Sequence, residues 1–184
     1  KILEAVSQGL DAVIVCPTGV IGPYDFRRSE IGELILGWMK RRISVLIDGK
    51  FDFVDVRDVA LGHILANKYG RKGEVYILGG EQLSLISFCK KVKEYLDIKS
   101  PIIKIPYKLA FFSTIFSERY YKWTKTRPRF TRYSLETVVG NSTITYEKAK
   151  RELGYSPRAL VDSIRDTIIW WLDHRKSIQP TLRI

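Results

Sequence analysis

Apolar positions in this chain alternate between short continuous runs and longer stripes at helical spacing. Lys1 to Gln8 carries Ile2, Leu3 and Val6 and stops at Gly9, which predicts a helix end with a glycine cap. Two turns are too short to hold in water alone, so a longer helix cut at its middle is expected. Ala12 to Cys16 is a continuous apolar run rich in β-branched residues, the pattern of a parallel strand buried on both faces. Pro17 closes that strand, and Gly19, Gly22 and Pro23 predict an ordered turn. Ile31 to Met39 reads as a helix capped by Ser29. Ser44 to Ile47 and Phe51 to Val54 read as short strands around an Asp48-Gly49 turn. Asp55 predicts the cap of a helix over Val56 to Tyr69, with Asp58 in its first turn.

Gly70 to Gly73 is a turn, and Glu74 to Leu78 a strand that leaves through Gly79-Gly80. Ser84 caps a helix whose stripe is Leu85, Phe88, Cys89, Val92 and Leu96. Ile102 to Ile105 is a strand between two prolines. Helices are predicted from Tyr107 to about Trp123, over Thr131 to Val139, from Thr145 to Gly154, and over Ala159 to His174. The last of these carries Leu160, Ile164, Ile168 and Trp171 on one face. Strands alternating with helices predict an α/β class with a mainly parallel sheet. No internal repeat or low-complexity linker interrupts the pattern.

Composition adds bounds. The 184 residues are 45% hydrophobic and 28% charged, as in a globular protein. No apolar run reaches the roughly 20 residues that a membrane-spanning helix needs. Lys1 is soon followed by Glu4, Gln8 and Asp11, so no signal peptide is read there. Cys16 and Cys89 form no C-x-x-C and have no histidine near them; buried, reduced thiols and a cytoplasmic location are expected. The net charge of +11 suits an anionic ligand or surface.

Three segments in order carry a family resemblance. The first is Gly9-Leu10-Asp11 running through Cys16-Pro17-Thr18-Gly19-Val20-Ile21-Gly22-Pro23. The second is Phe53-Val54-Asp55-Val56-Arg57-Asp58-Val59-Ala60, then Gly62-His63 and Gly73 to Glu81. The third is Lys148-Ala149, Glu152-Leu153-Gly154-Tyr155 and Pro157-Arg158. Together they resemble the carboxyl-terminal half of the extended short-chain dehydrogenase/reductases, the NAD-dependent epimerase/dehydratase family, and most closely its dihydroflavonol-reductase-like branch.

The resemblance implies the distal part of a Rossmann-like parallel sheet plus a small, mostly helical substrate-binding subdomain. Residues 1–80 would end the Rossmann-like domain, 81–176 would form the subdomain, and 177–184 a tail. It implies an NAD- or NADP-dependent oxidoreductase acting on a small carbonyl or alcohol, or a sugar epimerase using the same hydride chemistry. Pro17, Thr18, Gly19 and Val20 would meet the nicotinamide, and Ile21, Gly22, Pro23, Tyr24, Phe51 and Arg57 the substrate. The family's Y-x-x-x-K pair and its glycine-rich phosphate turn would lie upstream of Lys1, so no catalytic residue falls in this segment and the segment alone would be inactive. Its partners would be a small-molecule substrate, its own amino-terminal half and a second copy of itself. Nucleotide-sugar epimerases commonly place an Arg where Phe51 stands, so a less charged substrate is favoured.

Other readings compete. A non-catalytic dinucleotide sensor of the same fold is one. Arg119 to Tyr133 interleaves basic and aromatic residues after an apolar helix (Leu109 to Phe116) and reads first as a solvated loop, second as a contact for an anionic membrane surface, and last as a nucleic-acid contact. Tyr121 and Lys125 also match Y-x-x-x-K, but on the wrong side of Pro17. Gly70-Arg71-Lys72-Gly73 has the G-x-x-G of an RNA-binding loop, but a strand follows it. Arg57 lies between two aspartates, which favours an ion pair. His63 and His174 read as helix residues, and no metal-ligand cluster is evident.

Overall fold

The computed structural model describes residues 1–40, 43–47, 49–106, 109 and 144–174. In chain order the elements are α1 (Ile2–Ser7), β1 (Ile14–Pro17), β2 (Gly19–Ile21), α2 (Glu30–Met39), β3 (Ser44–Ile47), β4 (Lys50–Asp55), α3 (Val56–Tyr69), β5 (Val75–Leu78), β6 (Glu81–Ser84), α4 (Leu85–Tyr95), β7 (Ile102–Ile105), α5 (Glu147–Leu153) and α6 (Leu160–His174). Two units interleave along the sequence. The first comprises Lys1–Glu33, Asp52–Gln82 and Thr143–Ile184; the second comprises Leu34–Phe51 and Leu83–Ser142.

Polar side chains at the helix starts explain the boundaries. The Ser29 hydroxyl accepts the Gly32 N–H at 3.0 Å, Asp55 accepts the Arg57 N–H at 2.8 Å, and Ser84 accepts the Ser87 N–H at 3.0 Å. Thr145 accepts the Glu147 N–H at 3.3 Å, although Tyr146 is the capping residue. Gly154 ends α5 in the left-handed conformation, φ 70°.

The pairings β1–β5, β2–β4 and β3–β7 are parallel, in keeping with an α/β fold. β1 joins β5 with Ile14 opposite Val75 and Pro17 opposite Leu78. β2 joins β4 with Gly19 opposite Phe53 and Ile21 opposite Asp55, and β6 completes the order β2-β4-β6. In the second unit β3 pairs with β7. The strands either side of Gly49 therefore do not pair with one another as a hairpin. Gly19 to Ile21, expected as part of a turn, is a short strand because β4 offers it a parallel edge. Glu81 to Ser84 also forms a strand that its polar sequence conceals.

Burial is less complete at β1 than its apolar run implies. Ile14 and Val15 are half-buried, while Cys16 and Pro17 are exposed. The reason is that β5 covers one flank of β1 and no strand among the described residues covers the other. The expectation of a buried Cys16 is thus corrected; Cys89 is buried as expected.

The first unit's core is Val54, Ala66, Tyr76, Leu78, Ala149, Leu153 and Tyr155, closed where α3 and α5 pack on β5. In α6 the stripe Leu160, Ile164, Ile168 and Trp171 is buried, and the helix lies against β2. In the second unit α4 lies on β3, with Trp38 edge-on to Phe88 at 5.4 Å between ring centroids. Buried Lys93 there donates to the Ser100 carbonyl at 3.1 Å, tying the loop before β7. No helix among the described residues is long and apolar enough to cross a membrane. The helices expected at Tyr107–Trp123 and Thr131–Val139 lie, Leu109 apart, outside the described residues.

Candidate functional site

The parallel pairing of β1 and β5 brings their carboxyl ends together, and two turns leave from that point. On one side the Thr18 N–H donates to the Leu78 carbonyl at 3.3 Å. On the other, Gly79-Gly80 carries the chain from β5 to β6. Asp52 of β4, only 7% exposed, stands between them. Its Oδ1 accepts the Thr18 hydroxyl at 2.6 Å and the Gly80 N–H at 2.9 Å. The Gly79 carbonyl accepts the hydroxyl of buried Tyr155 at 3.0 Å. Burial pushes that phenol well above its ordinary pKa, so it stays a donor. Gly80 leaves no room for a side chain: a Cβ there would strike the Phe53 carbonyl.

Beyond Thr18 the chain follows β2 into a constrained loop. Gly19 and Val20 are half-buried, and Ile21, Gly22 and Pro23 are buried. Gly22 has φ 141°, and a Cβ there would meet Val56 Cγ1 at 2.7 Å, so only glycine fits. Tyr24 then takes φ 73°, a costly conformation for an aromatic residue, and is 61% exposed. Its ring lies 6.5 Å from that of Phe26, which meets Trp170 of α6 edge-on at 5.3 Å. Phe51 is half-buried in β4 and belongs to the second unit.

Arg57 sits within a charged latch. Its Nε and Nη2 donate to the two oxygens of Asp55 at 2.8 and 2.7 Å, and Nη2 also donates to Asp166 at 2.8 Å. Burial alone would push the Asp55 carboxyl up, but hydrogen bonds from Arg57 outweigh it and hold the group below the ordinary range. The guanidinium of Arg57 is in turn raised, first by its hydrogen bonds to Asp55. Beside it, Arg158 donates its backbone N–H, Nε and Nη2 to Asp58 at 2.9 to 3.0 Å. These pairs fix the start of α3 to the segment between α5 and α6 and to α6 itself.

His63 Nδ1 lies 2.8 Å from the Val59 carbonyl, and His174 Nδ1 lies 3.0 Å from the Trp170 carbonyl; each bonds the preceding turn of its own helix. No metal-binding cluster is found among the described residues. Gly70 to Gly73 simply joins α3 to β5. Tyr121, Lys125 and the Arg119–Tyr133 stretch lie outside the described residues. Asp52 is the site residue that sequence reasoning missed. Its signal was a single acid between two phenylalanines in a strand, which ordinarily marks the solvent face.

The sequence and fold of the chain are similar to those of known proteins. No family model matches the chain. It is 32% identical over 174 residues to sterol demethylase protein B of Methylococcus capsulatus, an alignment covering 92% of the chain and 52% of that protein. It is 28% identical over 176 residues to a Synechocystis protein named for dihydroflavonol 4-reductase, covering 94% of the chain and 51% of that protein. The crystal structure of Gox2253 is 32% identical and superposes with a TM-score of 0.77, covering 93% of the chain and 53% of that structure. The chain's relatives are of the extended short-chain dehydrogenase/reductase kind. It spans about half the length of the family relatives it matches. The family fold extends to WbmF of Bordetella bronchiseptica, solved in complex with NADH: 22% identity, a TM-score of 0.72, and coverage of 96% of the chain and 50% of that structure.

The junction of β1, β4 and β5 lies at the carboxyl ends of parallel strands, the place where open α/β sheets hold ligands. The polar groups there suit a neutral amide: the Thr18 hydroxyl oxygen and strand-end backbone groups, half-buried, with no cation bonded to Thr18 among the described residues. A diphosphate would be held differently, on a glycine-rich turn opening a helix. The helices adjoining these turns are already capped, α3 by Asp55 and α4 by Ser84.

Proposed function

We propose that this chain is the carboxyl-terminal part of an NAD(P)-dependent oxidoreductase that moves hydride to or from a small carbonyl or alcohol. The observation that carries the reading is the Thr18–Asp52–Gly80 junction at the aligned ends of β1 and β5. Pro17 to Val20 would orient the nicotinamide through the Thr18 side chain and neighbouring backbone. Bound there, the dinucleotide would supply or accept the hydride. Ile21 to Tyr24 would form one wall for substrate, with the Tyr24 ring held out by its strained backbone. Arg57, engaged by Asp55 and Asp166, would hold that wall in place more than bind substrate. Phe51, where an arginine commonly stands in nucleotide-sugar epimerases, favours a substrate without a diphosphate. The proton-transferring residues and the pyrophosphate site would come from the amino-terminal half. Free Cys16 and Cys89 suit a reducing compartment such as the cytoplasm.

The test compares the protein of the complete reading frame with the 184-residue chain, by calorimetric titration with NADH and NADPH. The complete protein is expected to bind one of them at micromolar concentration and to oxidise it with small aldehydes or ketones. The chain alone is expected to bind at least about tenfold more weakly, because backbone donors at a helix start supply the pyrophosphate affinity. Failure of the complete protein to bind either dinucleotide would overturn the proposal.

A further inference from the structure

We propose that Asp52 is a positioning residue that fixes the Thr18 hydroxyl as a hydrogen-bond acceptor, and so selects a ligand that presents an N–H donor, the carboxamide of the nicotinamide ring. The inference rests on the dinucleotide reading above. A hydroxyl has one proton and two lone pairs, and an ionised carboxylate only accepts. With Oγ1 2.6 Å from Asp52 Oδ1, the Thr18 proton is committed to the carboxylate. That separation is in the range of a charge-assisted O–H···O⁻ bond. The backbone N–H of Thr18 is committed as well, to the Leu78 carbonyl at 3.3 Å. The side chain of this residue is therefore left with lone pairs to offer. Thr18 is half-buried and not sealed in the core, and those lone pairs are what its hydroxyl has to offer a ligand.

The carboxylate itself cannot turn away. Its Oδ1 also receives the Gly80 N–H at 2.9 Å, and Gly80 is tightly packed against the Phe53 carbonyl. Tyr155 pins the neighbouring Gly79 from the other side. A buried acid that reads otherwise as one more stabilising bond thereby sets the polarity of a residue at the ligand position. A carboxamide offers two N–H donors and one carbonyl. Thr18 can serve only the donors, and the carbonyl must be met by other groups.

The experiment uses the protein of the complete reading frame and two ligands: its preferred oxidised dinucleotide, and the 3-acetylpyridine analogue, whose acetyl group keeps the carbonyl and lacks N–H. The ratio of their dissociation constants is the readout. Both ligands share the adenosine and pyrophosphate, so a merely destabilised protein weakens both and leaves the ratio unmoved. The wild type is expected to favour the nicotinamide form by about tenfold, the worth of one hydrogen bond. Thr18→Val is expected to bring the ratio to within about twofold of unity, and Thr18→Ser to keep it. Asp52→Ala is expected to lose the preference. Asp52→Asn, whose amide oxygen can still accept from Thr18, is expected to retain it. Asp52→Ser replaces Asp52→Ala if the latter does not fold, with the same expectation. A wild type without the preference, or a preference that survives Thr18→Val or loss of the Asp52 acceptor, would overturn this inference while leaving the dinucleotide reading intact. Absence of binding by both ligands would overturn the two together.

Discussion

Asp58→Ala tests the latch at the start of α3. The substitution removes the acceptor for three donors of Arg158, the backbone N–H, Nε and Nη2, at 2.9 to 3.0 Å. Breaking a buried ion pair by deleting one member costs about 3–5 kcal/mol. The Arg158 side chain is 34% exposed, so its guanidinium can turn toward water and recover part of that cost. Its half-buried backbone N–H recovers less, and an unmet donor costs about 1–3 kcal/mol. The net expectation is a loss of about 3 kcal/mol, a fall in Tm of roughly 6–12 °C for a chain of this size. Arg158→Ala should cost less, since Asp58 keeps the backbone N–H. Urea unfolding of the wild type, both single variants and the double variant gives the coupling energy, expected at about 1–2 kcal/mol. If Asp58→Ala costs under about 0.5 kcal/mol, or the two substitutions simply add, the pair does not hold α3 as described.

Acid should loosen the same latch. The carboxyls of Asp55 and Asp166 titrate below the ordinary aspartate value of about 3.9. Their stabilisation is therefore full above that value and is lost as pH falls through the lower folded values, so Tm should hold from about pH 7 to 5 and drop below about pH 4, with a shallower drop in Asp55→Asn. Gly80→Ala should destabilise by about 1–3 kcal/mol in thermal melts, since its Cβ meets a backbone carbonyl that has little room to yield. In thiol labelling of the native chain, exposed Cys16 should react and Cys89, whose thiol is pushed up by burial, should react only after unfolding; equal rates would contradict the burial assigned to Cys89.

Much of this fold is legible residue by residue because helix boundaries are local physics. Ser29, Asp55, Ser84 and Gly154 mark helix ends in the sequence and do so in the structure. The stripe Leu160, Ile164, Ile168 and Trp171 shows its buried face by spacing alone. Strand pairing is not local. Ser44 to Ile47 chooses β7, nearly 60 residues on, over the neighbour across Gly49, and only long-range packing decides that. The site divides in the same way. Pro17 to Pro23 announces itself by composition. Asp52 does not, because strand alternation turns it away from Phe51 and Phe53 toward what reads as water. The chain fills that side instead with Thr18 and Gly80, which come from 34 residues before and 28 residues after it.

The open side of β1 has a built-in limit. The Ile14 N–H reaches Glu74, just before β5, and the Thr18 N–H reaches Leu78, so alternate amides along this segment point one way. Val15 and Pro17 occupy the opposite positions. Val15 has a donor to give an arriving strand; Pro17, two residues later, has none. A strand zipping along this edge therefore loses its donor partner at Pro17, the residue before Thr18. Pro17 can meet such a strand only through its carbonyl, so one imino acid weakens the ladder immediately before Thr18.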